Sequence, residues 1–171
     1  MTELFIPSWY VLHTRSRFEN VVYEGLTKKS IEAFLPKALV RSKRLDRKAM
    51  IRVPLFPGYV FVKSDLTPSN QIEIVKTVGA VRLVGTRNGP VPVSAETVES
   101  LKIIVSGDNK VLTGTDFKKG DRVAVISGPL EGVIGTFVRY RGIGRVIVSI
   151  DALSQFASVE VDEEDVEILT R

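Results

Sequence analysis

Four consecutive carboxylates, Asp162-Glu163-Glu164-Asp165, and a single histidine, His13, are the residues whose types most readily suggest chemistry. Carboxylates act as general acid, base or metal ligand when they converge on one point. Consecutive side chains instead alternate sides on a strand and splay apart in a turn, so this run reads as an exposed acidic turn. The chain has no cysteine, which removes disulfides, thiolate nucleophiles and zinc-thiolate clusters. One histidine gives no support for a Ser-His arrangement. No catalytic residue, metal or cofactor is expected, and the chain is not read as an enzyme.

The basic residues are distributed unevenly. Residues 1–106 carry 16 Lys and Arg against 9 Asp and Glu, a net +7, whereas residues 107–171 carry 8 against 11, a net −3. A basic half suits a polyanion or an acidic protein surface, because neutralising phosphates with Lys and Arg supplies most non-specific nucleic-acid affinity. Two clusters are candidates for that contact: His13, Arg15 and Arg17 after the first apolar run, and Arg41, Lys43, Arg44, Arg47 and Lys48 in one polar segment. A merely solvated surface is the competing reading of the same charges.

The elements that must carry these residues can be read from patterning. With 44% hydrophobic and 26% charged residues over 171 positions, the composition is that of an ordinary globular chain. No stretch approaches the ~20 apolar residues of a membrane span and the start lacks signal-peptide character, so a cytoplasmic protein without membrane contact is expected. Trp9 to His13 favours a strand. Ser16-Arg17-Phe18-Glu19 matches a capping box ahead of helical spacing at Phe18, Val21, Val22 and Leu26. Residues 32–41 and 50–63 read as extended, with the polar segment as the tip of a long hairpin. Ile72, Val75 and Val78 predict a second helix, Val81 to Val84 a strand, and Ser94 caps a third helix carrying Val98, Leu101 and Val105. The order β-α-β-β-α-β-α is a ferredoxin-like split βαβ plan, with an antiparallel sheet and helices on one face. Residues 107–116 have the composition of a flexible linker. Beyond them, short Val- and Ile-rich runs at 122–127, 133–139, 145–150, 156–161 and 166–169 predict a small barrel. The expected fold is therefore α+β: a domain over 1–106, a linker, and an all-β SH3-like domain over 117–171.

Two motifs sharpen this. In the second half, Gly120-Asp121 turns into a strand with Val123 and Val125 on one face, Gly128-Pro129 opens a loop closed at Gly132, and Gly135 permits close backbone approach at a barrel corner. This pattern resembles the KOW motif. In the first half, Pro54-Leu55-Phe56-Pro57-Gly58-Tyr59-Val60-Phe61-Val62 places two prolines beside an aromatic run, which fits only an irregular strand entry. Together with Trp9-Tyr10-Val11-Leu12 and the KOW-like barrel, the run is similar to transcription elongation and antitermination factors of the NusG family, over Trp9 to Leu169.

The resemblance implies an RNA polymerase-binding domain that docks on the clamp helices of the largest subunit around Trp9, Phe56, Pro57, Gly58 and Tyr59. It also implies a bridge across the main channel that modulates pausing and termination, and contact of the basic residues with the non-template DNA strand. Lys76 falls near a position where a specialised paralogue reads DNA with an arginine, and lysine lacks the planar fork of that side chain. The barrel is implied to recruit a small-subunit ribosomal protein or Rho through Leu130, Ile150, Leu153 and Phe156. The segments 31–38 and 149–161 look more like operon-specific paralogues, of the RfaH, UpxY or LoaP kind, than like housekeeping NusG. A monomer is expected. The alternative is a ribosome-associated or RNA-binding KOW protein, which the negative charge of the barrel half disfavours.

Overall fold

Ser8–Thr14 forms β1, one of the two inner strands of the first sheet, and its consecutive Val11 and Leu12, on opposite faces, are both fully buried. In the computed structural model, which describes residues 5–42, 49–115 and 120–169, β1 is followed by α1 (Glu19–Lys28), β2 (Ala33–Phe34), β3 (Lys37–Arg41), β4 (Met50–Pro54), β5 (Tyr59–Ser64), α2 (Pro68–Val75) and β6 (Ala80–Leu83). Then come the short pair β7 (Gly85–Thr86) and β8 (Gly89–Pro90), α3 (Ala95–Ser106), β9 (Val111–Gly114), β10 (Arg122–Val125), β11 (Ile134–Tyr140), β12 (Ile143–Ile150), β13 (Gln155–Glu160) and β14 (Val166–Ile168). The chain divides into two units, Met1–Pro36 with Phe56–Ala95, and Lys37–Leu55 with Glu96–Arg171.

In the first unit the strand order is β2-β5-β1-β6, antiparallel throughout, as the split βαβ plan requires. Leu12, Val60 and Val62 from the sheet pack with Val22 and Leu26 of α1, Ile74 of α2 and Leu83 in one fully or nearly buried cluster. Burying each such side chain contributes at most about 1.5–3 kcal/mol. The expected long strands are interrupted: β2 stops before Pro36, and a turn at 55–58 separates β4 from β5. Prolines lack the ladder donor, so both breaks fall at prolines.

Three expectations are corrected here. The capping box does not form: Phe18, not Ser16, occupies the N-cap of α1 and no side chain caps it, because Glu19 is turned elsewhere and Arg17 has a left-handed φ of 67°. On α2 the buried residue is Ile74, while Ile72 is 57% exposed and Val78, beyond the helix, 72%. Apolar spacing marks a face but not which face is covered when both sides are apolar. Within the stretch expected as linker, Val111–Gly114 forms β9, paired antiparallel with β13. Val111, Leu112 and Thr113 are good strand formers that find an open sheet edge.

In the second unit, β14-β10-β11-β12-β13-β9 form one antiparallel sheet, the KOW-like barrel. Val123, Val125, Val133, Val146, Val148, Ala157 and Val159 are buried in it. A methyl group at Gly135 would lie 2.3 Å from the Ile147 carbonyl oxygen, which explains the glycine at that corner. The Gly128 to Gly132 loop closes by the Gly132 amide donating to the Val125 carbonyl at 2.9 Å. Helix α3 belongs to this unit beyond Ala95. Its buried Ser100 hydroxyl accepts from the Ile134 amide at 3.0 Å and donates to the Ile134 carbonyl at 3.3 Å. The β3–β4 hairpin also falls in this unit, so the division differs from a cut after residue 106.

Candidate functional site

The aromatic-proline run forms a tight turn whose conformation follows from its sequence. The Tyr59 amide donates to the Phe56 carbonyl at 3.2 Å, Pro57 occupies the second position, and Gly58 has φ +88° in the third. This is the pattern of a type II turn, which favours Pro then Gly. Two further bonds fix the turn. The Gly58 amide donates to Glu19 Oε1 at 2.9 Å, and the Gly58 carbonyl accepts from the Thr14 amide at 2.8 Å. Glu19 is 6% exposed and Thr14 1%, so both restraints are shielded from competing water.

Burial divides the five residues expected to form a polymerase-binding surface. Trp9 is 4% exposed and Phe56 1%, and Phe56 meets Phe61 edge-on with ring centroids 6.5 Å apart. These two side chains are packing. Pro57 is exposed, and Gly58 and Tyr59 are half-buried at the surface. Tyr59 stands beside His13, with ring centroids 5.4 Å apart. The strand register sets Tyr59 opposite His13 and His13 opposite Arg82, which places an aromatic, an imidazole and an exposed guanidinium in one row across β5, β1 and β6.

Of the nucleic-acid candidates, Arg15 and Arg17 are exposed in the turn after β1, and the Arg15 amide donates to the Gly79 carbonyl at 2.8 Å. That bond ties the turn to the segment after α2, where exposed Lys76 pairs with Glu73 at 3.1 Å. The Lys76 partnership holds the Glu73 carboxyl below its ordinary range. Arg15, Arg17 and Lys76 therefore sit on neighbouring turns of the first unit. His13 is half-buried, with its Nδ1 lacking a hydrogen-bond partner among the described residues. Arg41 is exposed at the end of β3, and Lys43, Arg44, Arg47 and Lys48 lie outside the described residues.

The four residues expected to hold a barrel partner do not form one patch. Ile150 is 1% exposed and Leu130 7%. Leu130 lines a cavity of about 170 Å³ next to Pro129 and Asp165, whereas Phe156 lines a separate one of about 620 Å³. Leu153 is half-buried in the helical turn Asp151–Leu153. The carboxylates at 162–165 form an exposed turn in which Glu163 pairs with Arg139 and the Asp165 carboxylate accepts from the Ser127 hydroxyl at 2.6 Å. Among the described residues no group of His, Cys, Asp or Glu is arranged to hold a metal, and no helix is long and apolar enough to cross a membrane.

A ferredoxin-like sheet carrying a Pro-Gly turn at its central strands, followed by a KOW-like barrel, is the architecture of a two-part NusG-type protein. The family described as transcription termination factor nusG matches residues 7–102, more than half of the chain, and the chain belongs to the NusG family. It is 29% identical to the transcription termination/antitermination protein NusG of Thermus thermophilus, over 90% of this chain and 94% of that one. It is 24% identical to the NusG of Borreliella burgdorferi, over 94% and 97%. A solved structure of Thermotoga maritima NusG, concerned with its domain interaction, superposes with TM-score 0.54 at 25% identity, over 96% of this chain and 98% of that one.

Sequence reading missed Glu19 and Thr14 as parts of the site. Glu19 carried a signal, an acid at a helix start, but the signal pointed to a local cap. Nothing local indicates a bond to an amide 39 residues away.

Proposed function

We propose that this transcription termination and antitermination factor docks its first unit on the clamp helices of the largest RNA polymerase subunit, with Pro57, Gly58 and Tyr59 as the contact surface. Trp9 and Phe56 support that surface from within. The observation that carries the reading is the type II turn at Phe56–Tyr59, held from both sides of Gly58 and leaving Tyr59 accessible. A turn fixed before binding loses little entropy on association, and a half-exposed tyrosine is the kind of anchor that dominates interfaces. Arg15, Arg17 and Lys76 lie on neighbouring turns of the first unit and are assigned to the non-template DNA strand, and Arg41, exposed at the end of β3, is assigned the same partner. Bound in this way, the factor bridges the main channel and holds the clamp on nucleic acid, which alters pausing and termination. The barrel recruits a second partner, a small-subunit ribosomal protein or Rho, and the half-buried Leu153 and Phe156 are more accessible than the buried Leu130 and Ile150 among the residues assigned to that contact.

Purification of the tagged full chain from its native cell tests the reading. Polymerase is expected to co-purify with the wild type and to be lost with Tyr59→Ala. Recovery of ribosomes without polymerase would replace this function with a ribosomal one.

A further inference from the structure

The sheet face that carries Tyr59 also carries a charge that the contact proposed above leaves unused. Leu12, Val60 and Leu83 point into the cluster shared with α1 and α2, so the residues next to them in sequence, His13, Tyr59 and Arg82, point to the opposite face. Tyr59 lies across from His13 and His13 across from Arg82. With neighbouring strands roughly 4.8 Å apart, the row from Tyr59 to Arg82 is roughly 10 Å long. His13 lies beside Tyr59, and its Nδ1 is buried without a hydrogen-bond partner among the described residues. That edge of the imidazole is therefore turned into the protein, and the rest of the ring continues the surface begun by Tyr59.

Arg82 ends the row as an exposed side chain. The described carboxylates of the first unit are engaged elsewhere: Glu19 holds the Gly58 amide, Glu32 faces Lys63, Asp65 holds Asn70, and Glu73 is shared by Lys29 and Lys76. The remaining one, Glu24, is on α1, which packs on the other face of the sheet. No described carboxylate is paired with Arg82. Beyond the row, Arg82 borders a cavity of about 370 Å³ in which Gln71 and Thr86 are further polar groups, and no carboxylate lines it. A lone surface arginine is ordinarily just solvated. This one differs in being mounted on a strand, in fixed register with the tyrosine of the proposed contact, beside a space that a side chain from outside can enter.

We infer that Arg82 is a specificity-determining contact: it pairs with a carboxylate on the helix that docks on Tyr59, and so selects an acidic partner surface. The inference rests on the clamp-helix docking proposed above and adds to it the charge of the partner. A row of roughly 10 Å equals roughly two turns of an α-helix, so a helix lying along the row presents its Asp or Glu about seven residues from the side chain that packs on Tyr59. The guanidinium fork suits a carboxylate held in two parallel hydrogen bonds. A DNA strand fits the row less well, because it needs phosphates met at successive positions and the row contains no second guanidinium or ammonium group. His13 belongs to this protein contact by its place between Tyr59 and Arg82, and not with Arg15 and Arg17.

The test is titration of the full chain with a clamp-helix fragment of the polymerase from the same cell, over a range of salt. Arg82→Gln is expected to weaken binding about tenfold, to make it less salt-dependent, and to leave the melting temperature unchanged. Arg82→Lys, which keeps the charge but not the fork, should recover only part of the loss, and Arg82→Glu should bind more weakly than Arg82→Gln. Replacing the Asp and Glu residues of the fragment by Lys one at a time is expected to identify one change that restores binding to Arg82→Glu. Tyr59→Ala is measured alongside. If Tyr59→Ala loses affinity while Arg82→Gln and Arg82→Glu bind as wild type does, this inference is overturned and the docking reading stands. If Tyr59→Ala also binds as wild type does, both fall. Arg82 is instead a DNA contact, and the inference is again overturned, if Arg82→Gln leaves the fragment's affinity unchanged but weakens binding of a labelled single-stranded oligothymidylate.

Discussion

Gly58 donates its amide to the buried carboxylate of Glu19 at 2.9 Å, joining the Pro-Gly turn to the first residue of α1. A charged acceptor in a shielded position makes this a stronger bond than a neutral one, on the order of 1.5–3 kcal/mol. Glu19→Ala leaves the Gly58 amide without its partner, and the turn loses one of its two restraints. Lower thermal stability and weaker affinity for a clamp-helix fragment are expected together. Glu19→Gln keeps an acceptor oxygen and should lie between wild type and Glu19→Ala in both measurements.

Gly58→Ala separates backbone from packing. The nearest atom to an added methyl group is His13 Cδ2 at 3.9 Å, so there is room, but φ +88° is poorly tolerated by an L residue. The expected loss is about 1 kcal/mol or somewhat more, read from denaturant unfolding with an unchanged slope. A neutral effect would mean that the turn adopts another form.

Ser100→Ala should weaken the attachment of α3 to the barrel, since one hydroxyl serves both the amide and the carbonyl of Ile134. The cost of the unpaired amide is about 1–3 kcal/mol. Hydrogen exchange is expected to speed up along α3 and at Ile134, and no faster exchange there would contradict the packing.

A barrel fragment beginning at residue 107 is expected to be all-β and to melt higher than one beginning at 117, because only the longer fragment contains β9 to cover the edge of β13. Circular dichroism of both fragments checks this. Equal melting temperatures would show that Val111–Gly114 contributes nothing to the barrel, and a predominantly helical signal would contradict the β preference of Val146-Ile147-Val148 and Val159.

Much of the fold was legible because periodicity and turn residues report on local structure. The barrel strands were found within a few residues, and Gly128, Gly132 and Gly135 fall where their backbones need them. The edge strand at Val111–Gly114 was not legible, since its partner lies at Phe156 to Val159 and the intervening sequence does not announce the pairing. The site was legible as a motif but not as a surface. Pro57 and Gly58 announce a turn, whereas the burial of Trp9 and Phe56 depends on which face of the sheet each occupies and what covers it.

The central claim is that Tyr59 is a contact residue and Phe56 a supporting one, and the same two measurements on both variants decide it. Tyr59→Ala in the full chain should keep a melting temperature close to that of wild type and lose ~30- to 1000-fold in affinity for a clamp-helix fragment, the cost of about 2–4 kcal/mol for an aromatic anchor. Phe56→Ala, which empties a site only 1% exposed, should lower stability by about 3–5 kcal/mol and lose binding through unfolding. A folded Tyr59→Ala protein that binds the fragment with wild-type affinity would contradict the account.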